Sequence, residues 1–142
     1  MGYLNSCSSF NNLPSQEHSV SYLQVCIPLP VKTTDTVVQL VNYEDVNTHL
    51  NSLANVLPVH GQEYPFCIYI GKFSGRGETT YNSRFKKNCV FLFIIEGAFE
   101  VEGRLLHAGD GLAIRDEKET GIEALSNDAI LLLLELTETG AI

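Results

Sequence analysis

The sequence predicts an all-β fold of the sandwich or barrel kind, extended on its N-terminal side by a strand and a short helix. Three observations carry this. From Pro65 onward, runs rich in β-branched and aromatic residues are separated by turn residues about every 6–12 positions, the rhythm of a sandwich or barrel. Between Glu96 and Asp116, two glycine-punctuated strand pairs follow one another, the second closing on Ala108-Gly109-Asp110. Two runs, 89–95 and 129–134, are apolar at every position. Successive strand side chains point to opposite faces, so both faces of these two strands must be covered. At 142 residues the chain has the size of one domain with a single core. We divide it into a mobile tail over 1–18, an extension over 19–60 and a barrel over 61–142.

The elements follow in order. Residues 1–17 are rich in Ser and Asn and read as a tail, tied down near Phe10 and Leu13. Residues 20–29 alternate apolar positions and stop at Pro28 and Pro30, which predicts a strand ended by proline. Residues 32–35 form a polar turn, and the β-branched run 36–43 suits a second short strand. Over 42–57, Val46, Leu50, Leu53 and Leu57 recur at helical spacing. Asn42 is placed to cap that helix, Glu44 and Asp45 suit its first turn, and Pro58 stops it. The remaining runs predict strands over 66–73, 78–85, 89–95, 98–102, 104–106, 111–115, 121–125 and 129–137, with a turn or bulge at 74–77.

Composition narrows the function classes. Apolar residues make up 44 % and charged residues 18 %, as in ordinary globular proteins. The net charge of −8 argues against nucleic acid, which needs a basic field. The one dense basic cluster, Arg84, Lys86 and Lys87, reads as a solvated turn. No apolar run approaches the ~20 residues of a membrane span. Residues 1–10 carry no signal-peptide pattern. Gly2-Tyr3-Leu4-Asn5-Ser6, with Cys7 beside it, meets a loose myristoylation pattern that is frequent by chance. We expect a cytoplasmic protein that touches neither nucleic acid nor membrane. Of the four cysteines, Cys26, Cys67 and Cys89 lie in apolar runs and read as small buried hydrophobes.

Motifs for chemistry are few. The stretch 71–77 is glycine-rich but lacks the order of a P-loop. Glu117, Glu119 and Glu123 read as a solvated acidic face. Cys89, near Lys86 and Lys87, becomes a nucleophile only if its pKa is lowered. His18, His49 and His60 fall in the tail, helix and linker and His107 on the strand before Gly109, and each reads as a solvent-facing or structurally bonded histidine rather than a ligand.

Several stretches resemble a known family. Residues 66–76, 91–97, 109–116 (Gly-Asp-Gly-Leu-Ala-Ile-Arg-Asp) and 123–129 are similar to the C-terminal cupin domain of pirins, and 21–28 to the strand that crosses between the two pirin barrels. The resemblance covers roughly residues 19–137. It implies a double-stranded β-helix, the jelly-roll-like cupin barrel. It also implies a place in bicupins of about twice this length, whose N-terminal barrel holds iron through histidines and a glutamate. That first barrel is credited with quercetin dioxygenase activity or redox-sensing co-regulation of transcription. The second barrel usually lacks the ligands.

Projected onto this chain, the cupin glutamate position falls near Val90 and the His-x-His pair near Arg84 and Lys86. The last histidine element falls on 115–120, which reads Arg-Asp-Glu-Lys-Glu-Thr. No ligand can be carried over, so we expect no metal, cofactor or catalytic residue. With Val90 facing the lumen, Leu92 and Ile94 face it too. Tyr81, Arg84 and Lys86 are then the polar groups nearest the usual mouth. Phe91, Phe93, Ile95, Leu131 and Leu133 are expected on the outside, at a subunit interface.

The leading expectation is a metal-free cupin that binds a small molecule or a protein, as a homodimer or with a separate cupin chain. The alternatives are a pirin-like dioxygenase or isomerase with a non-standard site, and one half of a split bicupin.

Overall fold

The computed structural model describes residues 22–27, 49–57 and 64–137. They fall in two units, Met1–Lys32 and Thr33–Ile142. In the first unit, residues 22–27 have no regular secondary structure. The strand expected over 20–29 is therefore not formed there, and the rest of it lies outside the described residues. An alternating run becomes a strand only where a neighbouring strand takes up its backbone groups. The tail, the strand expected over 36–43 and the first half of the expected helix also lie outside the described residues.

In the second unit the described residues form β1 (Ala54–Asn55), β2 (Phe66–Phe73), β3 (Glu78–Asn82), β4 (Asn88–Glu96), β5 (Ala98–Val101), β6 (Arg104–His107), β7 (Gly111–Arg115), β8 (Glu119–Ala124) and β9 (Ala129–Thr137). A five-stranded sheet runs β1-β2-β9-β4-β7 and a four-stranded sheet runs β3-β8-β5-β6. Every ladder is antiparallel. The fold class is as the sequence predicts.

The described part of the expected helix, 49–57, is not helical. Asn51 takes a φ of 60°, a left-handed conformation that ends any helix reaching it. Asn51 N–H and Val56 N–H donate to the Lys72 and Ile68 carbonyls, and Ala54 pairs with Ile70. Leu53 packs on the core, while Leu50 is 50 % exposed. The edge of β2 offers backbone partners to this segment, and they override its leucine spacing.

Register fixes which side chains meet. On β9, Ala129, Leu131, Leu133 and Glu135 face inward and are fully buried. They pair with Phe73, Gly71, Tyr69 and Cys67 of β2. On the other side, Leu131, Leu133 and Glu135 pair with Ile94, Leu92 and Val90 of β4. From the four-stranded sheet, Phe99, Val101, Leu106, Ile122 and Ala124 complete the core, and Phe73 and Phe99 meet edge to face at 5.5 Å. A register shift between Ile94 and Glu96 bends the end of β4 and leaves Ile95 39 % exposed. Gly97 then turns the chain into β5 with a φ of 79°, where a Cβ would run into Ala129.

Candidate functional site

The inner faces of the strands change character at one end of the barrel. Below this end the buried cluster is apolar. At it, β9 supplies Glu135, β2 supplies Cys67 and Tyr69, β3 supplies Tyr81 and β8 supplies Thr120. Cys67 and Val90 flank Glu135 on the two neighbouring strands, and Thr120 lies opposite Tyr81.

Glu135 is fully buried, and a carboxylate there requires donors. The Tyr81 hydroxyl donates to Oε2 at 2.5 Å. The Arg84 amide donates to both carboxylate oxygens at 3.0 Å, and the Phe85 amide donates to Oε1 at 3.0 Å. Two consecutive backbone N–H groups thus form a small anion-binding concavity around the carboxylate. The Arg84 side chain turns back over the site and places Nη1 3.5 Å from Cys67 Sγ. Tyr69 packs edge-on against Tyr81, with ring centroids 5.2 Å apart.

These contacts restrain the titratable groups. Burial, then the bond to Glu135, pushes the Tyr81 phenol far above the usual tyrosine range. Burial raises the Cys67 thiol as well, opposed by the Arg84 guanidinium. A phenol and a thiol held in their protonated forms are not poised as base or nucleophile. Two buried atoms at this end, Thr120 Oγ1 and Asn88 Oδ1, meet no hydrogen-bonding group among the described residues. Asn88 donates through its amide to the Phe85 and Glu117 carbonyls.

The residues singled out from the sequence separate into three groups. Tyr81, Arg84 and Val90 do come together, around Glu135. Val90, Leu92 and Ile94 face the lumen, are 0 % exposed and interlock with the core, so they line no open pocket. Lys86 is exposed on the segment between β3 and β4. On the outer side, Phe91 and Phe93 are half-buried, and the Phe91 ring lies over Gly111.

Leu131 and Leu133 are a correction. They sit in the core, and the outward neighbours of Phe93 and Phe91 are Leu132 and Leu134. In a run of four leucines the hydrophobic pattern cannot say which parity faces in. Among the cysteines, Cys67 is buried, but Cys89 is half-buried and Cys26 exposed. Sequence reasoning missed Glu135. Its signal was a single acid at the end of a strand apolar on both faces.

The usual cupin ligand positions do not fit a metal. Val90 is packed among apolar side chains, while Arg84 and Lys86 are cations. Among the described residues, no three His, Cys, Asp or Glu side chains converge in a way that could hold a metal ion. The outer face of the four-stranded sheet carries a shallow groove of about 580 Å³ lined by Glu78, Glu100, Glu102 and Glu123. Arg76 pairs with Glu123 at 3.2 Å.

Known proteins place this fold. Residues 64–136, just over half of the chain, match the model of the quercetinase C-terminal cupin domain. The chain belongs to this family. Strands β2 to β9 are the cupin barrel of that pirin-related domain. The bacterial pirin YhhW of Escherichia coli, solved with nickel(II), is 25 % identical over 51 % of this chain and 31 % of its own, with a TM-score of 0.48. The chain thus spans under a third of that pirin's length. KdgF from Halomonas sp. is 21 % identical over 72 % of this chain and 96 % of its own, with a TM-score of 0.50. A cupin domain of an XRE family transcriptional regulator from Enterobacter cloacae is 12 % identical over 61 % and 94 %, also at 0.50. These two likenesses concern the fold. No curated protein matches the cupin chain. No helix among the described residues is long and apolar enough to cross a membrane.

Proposed function

We propose that this pirin-related cupin is a metal-free, non-catalytic interaction module that binds a second copy of itself through the outer face of its five-stranded sheet. One observation carries the reading: β4 and β9 are apolar on both faces, and on the outer one Phe91, Phe93 and Leu132 stay half-buried and Ile95 exposed. The lumen, where a catalytic cupin works, is filled by Val90, Leu92, Ile94, Leu131 and Leu133. The outer face presents Phe91 beside Leu134 and Phe93 beside Leu132, ending at Ile95. Leu134 is buried, and the half-buried Phe91, Phe93 and Leu132 with the exposed Ile95 leave an apolar patch of the kind that marks an interaction site. No charged residue lies within that set, so a second copy carrying −8 can approach it without like charges meeting. The family's own description, a C-terminal domain, fits a barrel accustomed to a covered face.

Native mass spectrometry of the purified protein, with no metal added, tests the proposal. The expected result is a dimer mass that Phe93→Asp converts to monomer. A wild-type monomer, or a dimer unchanged in Phe93→Asp, overturns it. A heteromer with a separate cupin chain replaces the second copy as partner. A second reading, small-molecule binding at the polar end of the lumen, is favoured by Thr120 Oγ1 and Asn88 Oδ1, which have no hydrogen-bond partner among the described residues. The same spectrum reads it as an added organic mass that Thr120→Val removes.

A further inference from the structure

We propose that Glu135 is a latch that holds the segment between β3 and β4 down over the polar end of the barrel, and that release of this segment is how that end opens. The inference concerns access and stands whether or not a molecule binds there.

The segment, residues 83–87, is attached unequally. Arg84, Lys86 and Lys87 are exposed. Ser83 is tied to the segment between β7 and β8, its N–H donating to the Lys118 carbonyl and its Oγ to that of Glu117. The stretch over the lumen is attached inward mainly through Glu135, whose carboxylate collects the Arg84 and Phe85 amides, with one further bond from the buried Asn88 amide to the Phe85 carbonyl. Charge-assisted bonds of this kind are roughly twice as strong as neutral ones. The carboxylate itself cannot follow the segment outward. It is fixed on the central strand β9, between β2 and β4, and tied from below by Tyr81. A rigid acceptor with donors on a short exposed segment has the form of a catch.

Directly beneath lies Cys67, 4 % exposed, with Arg84 Nη1 on its sulfur. Lifting Arg84 and Phe85 uncovers Cys67, so this thiol reports the opening. In the closed state the carboxylate is satisfied and water is excluded. In the open state water must replace the two amides. The opening therefore has a real but local free-energy cost, below that of unfolding the sheets.

The test combines residue-resolved amide exchange with alkylation of Cys67 mapped by peptide mass. In wild type, exchange at Arg84 and Phe85 and modification of Cys67 are expected to show little denaturant dependence, while exchange at Leu131 follows global unfolding. Glu135→Leu keeps the volume and removes the acceptor. It should speed Arg84 and Phe85 exchange and Cys67 alkylation at least about tenfold, with Leu131 unchanged, and Glu135→Gln should fall between. Unchanged rates in a folded Glu135→Leu protein overturn the proposal. If that variant does not fold, wild type alone decides: Arg84, Phe85 and Cys67 sharing the steep denaturant dependence of Leu131 would show that no local opening exists.

Discussion

Tyr81 gives the clearest physical statement at the scale of a residue. Its hydroxyl bonds a buried carboxylate and interacts with Tyr69 as well, so ionising the phenol would set two negative charges against each other out of reach of water. The folded protein therefore keeps this proton at pH values where the unfolded chain, with an ordinary tyrosine value of 10.0, gives it up. The stabilisation is complete below pH 10 and is lost as pH rises from there. Tyr81→Phe should flatten the fall in stability above pH 10, measured by urea unfolding across that range. At neutral pH it should cost about 1.5–3 kcal/mol, as expected for a hydrogen bond to a charged group. A slope unchanged by the substitution would show that the phenol does not titrate with unfolding. The lumenal positions of Val90, Leu92 and Ile94 were legible in the sequence, because cupin spacing fixes the parity of β4. Glu135 was not, since a lone acid beside four leucines looks like the end of a strand and its partners lie 50 to 54 residues away in sequence.

At the scale of an element, β9 organises the molecule. It is central in the five-stranded sheet, pairs with β2 on one side and β4 on the other, and carries apolar residues on both faces. Its position and length were readable as an uninterrupted apolar run bounded by turn residues. Its orientation was not, because a one-residue slip exchanges the two faces without changing the pattern. The buried acid resolves it: Glu135 inside places Leu131 and Leu133 inside as well. Leu131→Ala should therefore cost about 2–5 kcal/mol by denaturant unfolding, the range for a fully buried leucine. Leu132→Ala, on the outer face, should cost less in dilute solution and show a cost that grows with protein concentration. Equal, concentration-independent losses would remove the distinction between the faces. The segment 49–57 is the converse case. Leucines at helical spacing were overridden by hydrogen bonds to the edge of β2, and single-sequence periodicity carries no information about a sheet edge that a distant segment provides.

At the largest scale, the described strands form a sandwich with unlike outer faces. The five-stranded sheet turns an apolar face outward, while the four-stranded sheet turns out a row of carboxylates. Glu78 and Glu100 each stand opposite Glu123 on β8, and Arg76 neutralises only part of that row. Like charges directly opposite on neighbouring strands are destabilising, and a chain of net charge −8 adds to their repulsion. Self-association through this second face would stack one acidic row on another, so the proposed dimer has one usable surface. Glu100→Lys separates the two roles. It places a cation opposite Glu123, and should raise stability by about 0.2–1 kcal/mol in low-salt urea unfolding, with the gain shrinking as salt is added. Because the change lies on the sheet that does not carry the contact, the native mass should stay that of the wild type, whereas Phe93→Asp changes it. A Glu100→Lys protein that changed its association state would place the contact on the four-stranded sheet, and the apolar outer face of β4 and β9 would need another explanation.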